Sequence, residues 1–340
     1  MRRFSIAVLG AAAVLLAVAL NGTGTARVSD YDAELATLRG DSVRDLYLRA
    51  SLTSDYAEFV RVGKAFDALP PSEDILFARA TLAHKMHRLA DAKSDLAALP
   101  ESDRTRALTA DIAFNEGRYA EALRLYESLP RTWDNLARLA YYKSKTGDVA
   151  GADRLYVEAE EQLTAKEMRS YAWLQLQRGL LRFDHGKHEE ALHYYQRADR
   201  AYSGYWLIEE HIAEVLAEMG RKREATRIYR KVVEKTNKPE FVAALAKLTN
   251  DPSLMKEADR LFDEQYRLAP EAAIGHALEF LLEKPQVDPR LIPMAERNVA
   301  LRPNAEAKLL LAQAYRKANR VGEAQVLEQE VRRTPWRAGS

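Results

Sequence analysis

The side chains best suited to chemistry in this 340-residue chain are histidines and glutamates. His84 and His87 stand three residues apart, as do His185 and His188. On a helix that spacing places two imidazoles on one face, enough for two ligands to a metal ion. His188-Glu189 with His193 comes near the helical His-Glu-x-x-His zinc pattern, but the second histidine is five residues on, about 140° around the helix from the first. Both pairs fall at or near turns, where solvated imidazoles are expected, and three repeat units separate them. No metal site and no cofactor is expected.

A second cluster is acidic: Glu209, Glu210, Glu214 and Glu218. Two such carboxylates could act as an acid–base pair, but the same pattern also describes a helix's solvated face or the lining of a binding groove. The chain has no phosphate loop, no G-x-S-x-G and no G-x-G-x-x-G. It has no cysteine, which excludes disulfides, thiolate ligands, thiol nucleophiles and lipid attachment through an N-terminal cysteine. No nucleophile, base and orienting group can be assembled, so the chain is not expected to be an enzyme.

The composition, 47% hydrophobic and 30% charged, is that of a folded soluble protein. Lys plus Arg (51) balances Asp plus Glu (50), and no basic cluster lies in the folded part, so no nucleic-acid partner is expected.

The elements that position these residues are helices, because apolar residues recur at three- and four-residue spacing and strand-like alternation is missing. Three segments close with the same pair, Leu69-Pro70, Leu99-Pro100 and Leu129-Pro130, and proline there ends a helix. Other helices open just after Gly117, Gly147, Gly186, Gly220 or Asn319, residues suited to the left-handed turn at a helix C-terminus. An alanine recurs at 92, 122, 152, 191, 225, 258 and 324, with Leu291 in its place once; the steps are 30, 30, 39, 34, 33, 33 and 33. Four residues after it comes a large side chain: Leu96, Tyr126, Tyr156, Tyr195, Tyr229, Phe262. Twelve residues before it lies another small residue: Ala80, Ala110, Ala140, Gly179, Ala213, Ala246, Ala312. Small residues at matched places let two helices approach closely, and the large side chain fills the groove to the next pair.

This pattern resembles the tetratricopeptide repeat family, whose unit is two antiparallel helices with a small residue in the first and Ala-x-x-x-aromatic in the second. Pro270 and Pro303 match the family's closing proline, while its aromatic near the start of the first helix is mostly missing, though Trp173 and Trp206 lie close to it. The resemblance implies an all-α solenoid of about nine helix-turn-helix pairs over residues 46–333. Residues 1–26 precede it as a signal or anchor, 27–45 as a linker or N-terminal cap, and 334–340 follow as a C-terminal tail. The step of 39 implies extra residues around 160–166. Glu279 at a small-residue position, with prolines at 285, 289 and 293, predicts a distorted unit or hinge. The resemblance further implies that the first helices of successive units line a concave groove for a partner peptide or helix. The groove residues expected here are Phe77, Asp111, Phe114, Tyr141, Trp173, Leu176, Phe183, Glu210 and Glu214. Phe77, Ala107, Ala137, Leu176 and Glu210 stand where chaperone-binding relatives carry a lysine and asparagine clamp, so a cochaperone role is not expected.

Arg2-Arg3 followed by the uncharged run 4–20 reads as a secretory n-region and h-region, with small residues beyond suited to cleavage after Ala19 or Ala26. Export to the periplasm, or a single N-terminal membrane anchor facing it, is expected. The function expected from these readings is a non-catalytic protein–protein interaction scaffold in the bacterial cell envelope, serving polysaccharide export, secretion or outer-membrane assembly. The alternative is a peptidoglycan-associated or periplasmic chaperone-like factor, without the catalytic domain that a lytic enzyme needs.

Overall fold

The computed structural model describes residues 28–337, and among these the chain forms nineteen helices and no strand. The predicted leader, 1–26, lies outside the described residues. No described helix is long and apolar enough to cross a membrane.

A short helix α1 (Asp30–Thr37) precedes nine antiparallel hairpins. The first four are α2 (Val43–Thr53) with α3 (Tyr56–Asp67), α4 (Glu73–Lys85) with α5 (Leu89–Ala97), α6 (Asp103–Asn115) with α7 (Tyr119–Glu127), and α8 (Trp133–Lys145) with α9 (Val149–Glu161). The longer α10 (Met168–Phe183) pairs with α11 (His188–Ala201), and α12 (Trp206–Glu218) with α13 (Lys222–Thr236). Then come α14 (Pro239–Thr249) with α15 (Pro252–Leu268), α16 (Pro270–Glu283) with α17 (Leu291–Leu301), and α18 (Ala305–Lys317) with α19 (Val321–Arg332). The fold is therefore the all-α solenoid expected of the repeat.

Local chemistry sets the helix limits. Ser42, Ser72 and Ser102 accept from backbone N–H groups of the first turns of α2, α4 and α6, and Ser102 with Thr105 forms a reciprocal capping box. Pro70, Pro100 and Pro130 lie just past the ends of α3, α5 and α7. The matched small residues are the tightest contacts: Ala80, Ala92, Ala110, Ala122, Ala140, Ala152, Ala213 and Ala225 expose nothing to solvent. At Gly179 the fit is closer still, since an added Cβ would lie 2.3 Å from the ring of Tyr195. Tyr126, Tyr156, Tyr195, Tyr229 and Phe262 are all buried between pairs, each worth about 1.5–3 kcal/mol by burial of apolar surface.

The irregular units keep their hairpins. The step of 39 is taken up by the connector 162–167 and by α10, which has 16 residues. The α16–α17 pair is joined by the connector 284–290, and Pro293 is tolerated because it sits in the first turn of α17.

The solenoid winds tightly enough that its second half lies against its first. The amide of Tyr31 donates to the carbonyl of Ser203 at 3.1 Å. Trp206 Nε1 donates to the Leu52 carbonyl at 2.9 Å, and Lys238 Nζ to that of Ser54 at 2.7 Å. The Tyr56 hydroxyl donates to the Ala272 carbonyl at 3.2 Å. Further along, the amide of Ala305 donates to the Tyr119 hydroxyl at 2.8 Å, and the amide of Arg337 to the Lys145 carbonyl at 2.8 Å. These contacts advance together along both segments, so they form a seam between successive turns of the coil. The residues assigned to the C-terminal tail take part in it: Trp336 is 4% exposed and packs 6.1 Å from the rings of both Phe114 and Tyr119.

Candidate functional site

The seam turns the inner face of the coil into a cavity of about 280 Å³. Most of its wall comes from the first helix of each hairpin, through α4, α6, α8, α12, α14, α16 and α18, as the repeat pattern implies. Residues from α3, α7 and α15, from the connectors that follow α2, α4, α13 and α17, and the C-terminal Trp336 complete it.

The wall is acidic. Asp111, Glu210, Glu214, Glu240, Glu279, Glu283 and Glu306 contribute carboxylates, seven in all. Three fixed cations face them: Lys85, Lys238 and Arg302. Four of the chain's seven histidines, His84, His87, His211 and His276, also line this space. Surface imidazoles were expected at His84 and His87, but the second turn of the coil covers both. His185 is exposed, as expected of a turn residue.

Burial and neighbouring charge divide the four histidines into two kinds. Burial lowers the pKa of His84, whose Nε2 accepts from Asn115 Nδ2 at 3.0 Å. Burial, and then Arg302, hold His87 well below the usual value. His211 and His276 go the other way. Burial alone would lower them, but Glu210 and Glu214 outweigh it at His211, and Glu279 and Glu240 at His276, so both pKa values are raised. Burial also lowers Lys85 to about 8 and raises the carboxyl of Glu306.

Helix α12 holds a compact constellation. Glu210 and Glu214 are four residues apart and His211 is three before Glu214, so one turn of helix brings all three together. His211 Nδ1 lies 3.2 Å from Glu210 Oε2 and 3.4 Å from Glu214 Oε2, and the donor atoms of the three all fall within 4.8 Å of one another. The Tyr195 ring stacks on the His211 ring at 5.5 Å. Elsewhere on the wall, Glu240 Oε2 and Arg302 Nε are buried without a hydrogen-bond partner.

The structure places the predicted groove residues in two sets. Asp111, Phe114, Tyr141, Glu210 and Glu214 line the cavity. Asp111 is also tied down: it accepts from the Tyr126 hydroxyl at 2.8 Å and pairs with Arg138 at 3.1 Å. Phe114 packs edge-on against Tyr119 and Tyr141. Phe77, Trp173, Leu176 and Phe183 lie away from the cavity. Phe77 sits beneath the Arg104 guanidinium, and Trp173 packs edge-on against Trp133. Leu176, 1% exposed, shares a core with Tyr31, Leu38 and Leu52, and Phe183 packs on the same core beside the His188 ring. Tyr31, Leu38 and Leu52 of the N-terminal segment join a core otherwise built from α10 to α14, and no α10 residue lines the cavity. Sequence reasoning passed over His211, although the run Glu210-His211-x-x-Glu214 carries the signal.

No protein-family model matches the chain, and no curated protein matches its sequence. Several solved structures are similar in fold. The Rap conjugation gene regulator of plasmid pLS20, in complex with the Phr* peptide, is 12% identical with a TM-score of 0.50, covering 88% of this chain and 96% of that one. A thermophilic TPR protein of Thermus thermophilus is 22% identical with a TM-score of 0.40, covering 57% of this chain and 99% of that one. A chain of the APC/C hetero-tetramer Cut9–Hcn1 is 16% identical with a TM-score of 0.49 over 83% of this chain, which spans 58% of that chain's length. At these identities the likeness extends to the fold alone, a helical solenoid of the tetratricopeptide type.

Proposed function

We propose that the protein is a non-catalytic binding protein of the bacterial cell envelope that takes a basic segment of a protein partner into the interior of its coil. The observation that carries this reading is the cavity wall: beyond Asp111 and Glu283, which pair with Arg138 and Lys247, five carboxylates stand against three fixed cations. A low-dielectric enclosure with that balance favours an ammonium or guanidinium group and disfavours an anion. The unpaired oxygen of Glu240 is an acceptor already desolvated for such a donor. The pLS20 Rap regulator, seen with its Phr* peptide, is a precedent for this fold holding a peptide.

The test uses Trp206 and Trp336, which both line the cavity, as fluorescent reporters. Short lysine- or arginine-containing peptides should change the emission saturably, glutamate-containing peptides of equal length should not, and Glu240→Gln should weaken the response. No saturable response to basic peptides up to about 1 mM, a limit equivalent to only ~4 kcal/mol of binding, would overturn the reading.

The envelope address rests on the basic and apolar run at residues 2–20. Full-length protein should fractionate with the membrane or periplasm, and a deletion of residues 1–26 should stay in the cytosol. Equal distribution of the two would remove the envelope from the proposal. Polysaccharide export, secretion and outer-membrane assembly are the processes to search for the partner, by crosslinking in intact cells.

A further inference from the structure

We infer that Glu210, His211 and Glu214 form a binding site for one divalent transition-metal ion of the zinc class, facing the cavity from α12. The donor set is one imidazole nitrogen and two carboxylates, a combination that suits zinc and its neighbours and that magnesium does not seek. Ligands about 2.0–2.2 Å from a tetrahedral ion lie about 3.3–3.6 Å apart, and His211 Nδ1 stands 3.2 and 3.4 Å from its two carboxylate oxygens. Little movement is needed to replace these contacts by bonds to one central ion. Among the described residues this is where three such groups converge.

The second observation is Tyr195. Its side chain is wholly buried, its ring lies on His211, and its hydroxyl has no hydrogen-bond partner. A buried hydroxyl without a partner carries a desolvation penalty that native structures seldom leave uncompensated. A water on the ion would donate to this hydroxyl oxygen, and a hydroxide there would accept from it, so either would give the phenol the partner it lacks. Tyr195 is thus a positioning residue for the ion's outer sphere, and α11 and α12 together supply the site.

A bound ion would neutralise Glu210 and Glu214, two of the wall's carboxylates, so the metal is titrated without peptide, and its binding or failure is read apart from the peptide reading. The experiment uses the full chain without an affinity tag, stripped with chelator and titrated with Zn²⁺, then with Co²⁺ to read ligand-field absorption. One ion per chain is expected for Zn²⁺ and Co²⁺ and none for Mg²⁺. His211→Gln and Glu214→Gln should each abolish stoichiometric binding while the metal-free variants melt within a few degrees of the parent. Tyr195→Phe should keep the site and weaken it roughly tenfold, as outer-sphere losses do. Failure of the unaltered protein to bind Zn²⁺ or Co²⁺ at about 100 µM would overturn the inference whatever the variants do. So would binding that survives in both His211→Gln and Glu214→Gln, or that is lost only in His84→Gln.

Discussion

His87 Nε2 accepts a hydrogen bond from Arg302 Nη1 at 3.1 Å, while its Nδ1 donates to the Glu271 carbonyl at 3.3 Å. The two bonds set the tautomer and require a neutral ring, because a proton on Nε2 would point at a guanidinium. His87 stands in the left-handed region at φ 57°, where other units place glycine or asparagine. A residue with a side chain at that position is strained by roughly 1–2 kcal/mol, and here the side chain fastens one turn of the coil to the next.

This geometry predicts acid sensitivity. The folded pKa of His87 lies below its unfolded value of 6.5. Above that value both states are neutral and the stability is fully present; as pH falls below it the unfolded chain takes the proton first and stability is lost. Arg302, His84 and His276 all lower the pKa of the ring, and the lowered His84 adds to the acid sensitivity, whereas the raised pKa values of His211 and His276 themselves contribute in the opposite direction. The comparison that isolates His87 is His87→Asn, which keeps the backbone conformation. Thermal melts between pH 7.5 and 5 should fall less steeply for the variant than for the parent.

Gly117 tests the seam itself. Its φ is 75°, and an added Cβ would lie 2.8 Å from the carbonyl oxygen of Pro303 on the next turn. Gly220 has nearly the same φ, 76°, and open space around it. Gly220→Ala should lose about 1–2 kcal/mol from backbone strain alone. Gly117→Ala should lose that and about 1–3 kcal/mol more from the clash. Equal losses in urea melts would mean that the turns do not touch there.

Replacing a helical glycine by alanine usually stabilises by about 0.5–1 kcal/mol. At Gly179 the sign should reverse, because the new methyl meets the Tyr195 ring, with a net loss of about 1–3 kcal/mol. Joined to Tyr195→Leu, the two losses should sum to less than their separate values, which a double-mutant cycle in urea would read.

Asp111 belongs to the fold as well as to the cavity wall. Asp111→Ala leaves the buried Tyr126 hydroxyl without its acceptor and the mostly buried Arg138 with only Asp134 of its two carboxylate partners, and a loss of about 1–3 kcal/mol is expected from chemical denaturation. A loss under 1 kcal/mol would show that the pair is relaxed in solution.

Trp336→Ala should cost about 3–5 kcal/mol, the range for truncating a buried aromatic. Hydrogen exchange should rise around Phe114 and Tyr119, more than two hundred residues away in sequence.

What was legible in the sequence was the part that repeats. Ala122 and Tyr126, or Ala191 and Tyr195, do the same work in every hairpin, so their register declares the helices, the pairing and the solenoid. The cavity was half legible for the same reason. Asp111, Phe114, Tyr141, Glu210 and Glu214 sit on first helices, which the repeat turns inward. The seam was not legible, because Tyr31 with Ser203 or Lys145 with Arg337 meet once each and leave no period to detect. Leu176 and Phe183 read as groove residues because α10 is a first helix too, but their side chains belong to a core that Tyr31, Leu38 and Leu52 join from the distant N-terminal segment. His84 and His87 read as solvated turn residues because the chain that covers them arrives some two hundred positions later.

Stacked repeats ordinarily behave like a row of dominoes, each unit answering only to its neighbours, so that either end can fray while the middle stands. The bonds from Trp206 to Leu52, from Lys238 to Ser54 and from Ala305 to Tyr119 remove that freedom. They behave as a spring whose windings have been soldered together: neither terminus can loosen without tearing at the centre, melting becomes a single event, and an occupant reaches the core through an open mouth or waits for the whole winding to give.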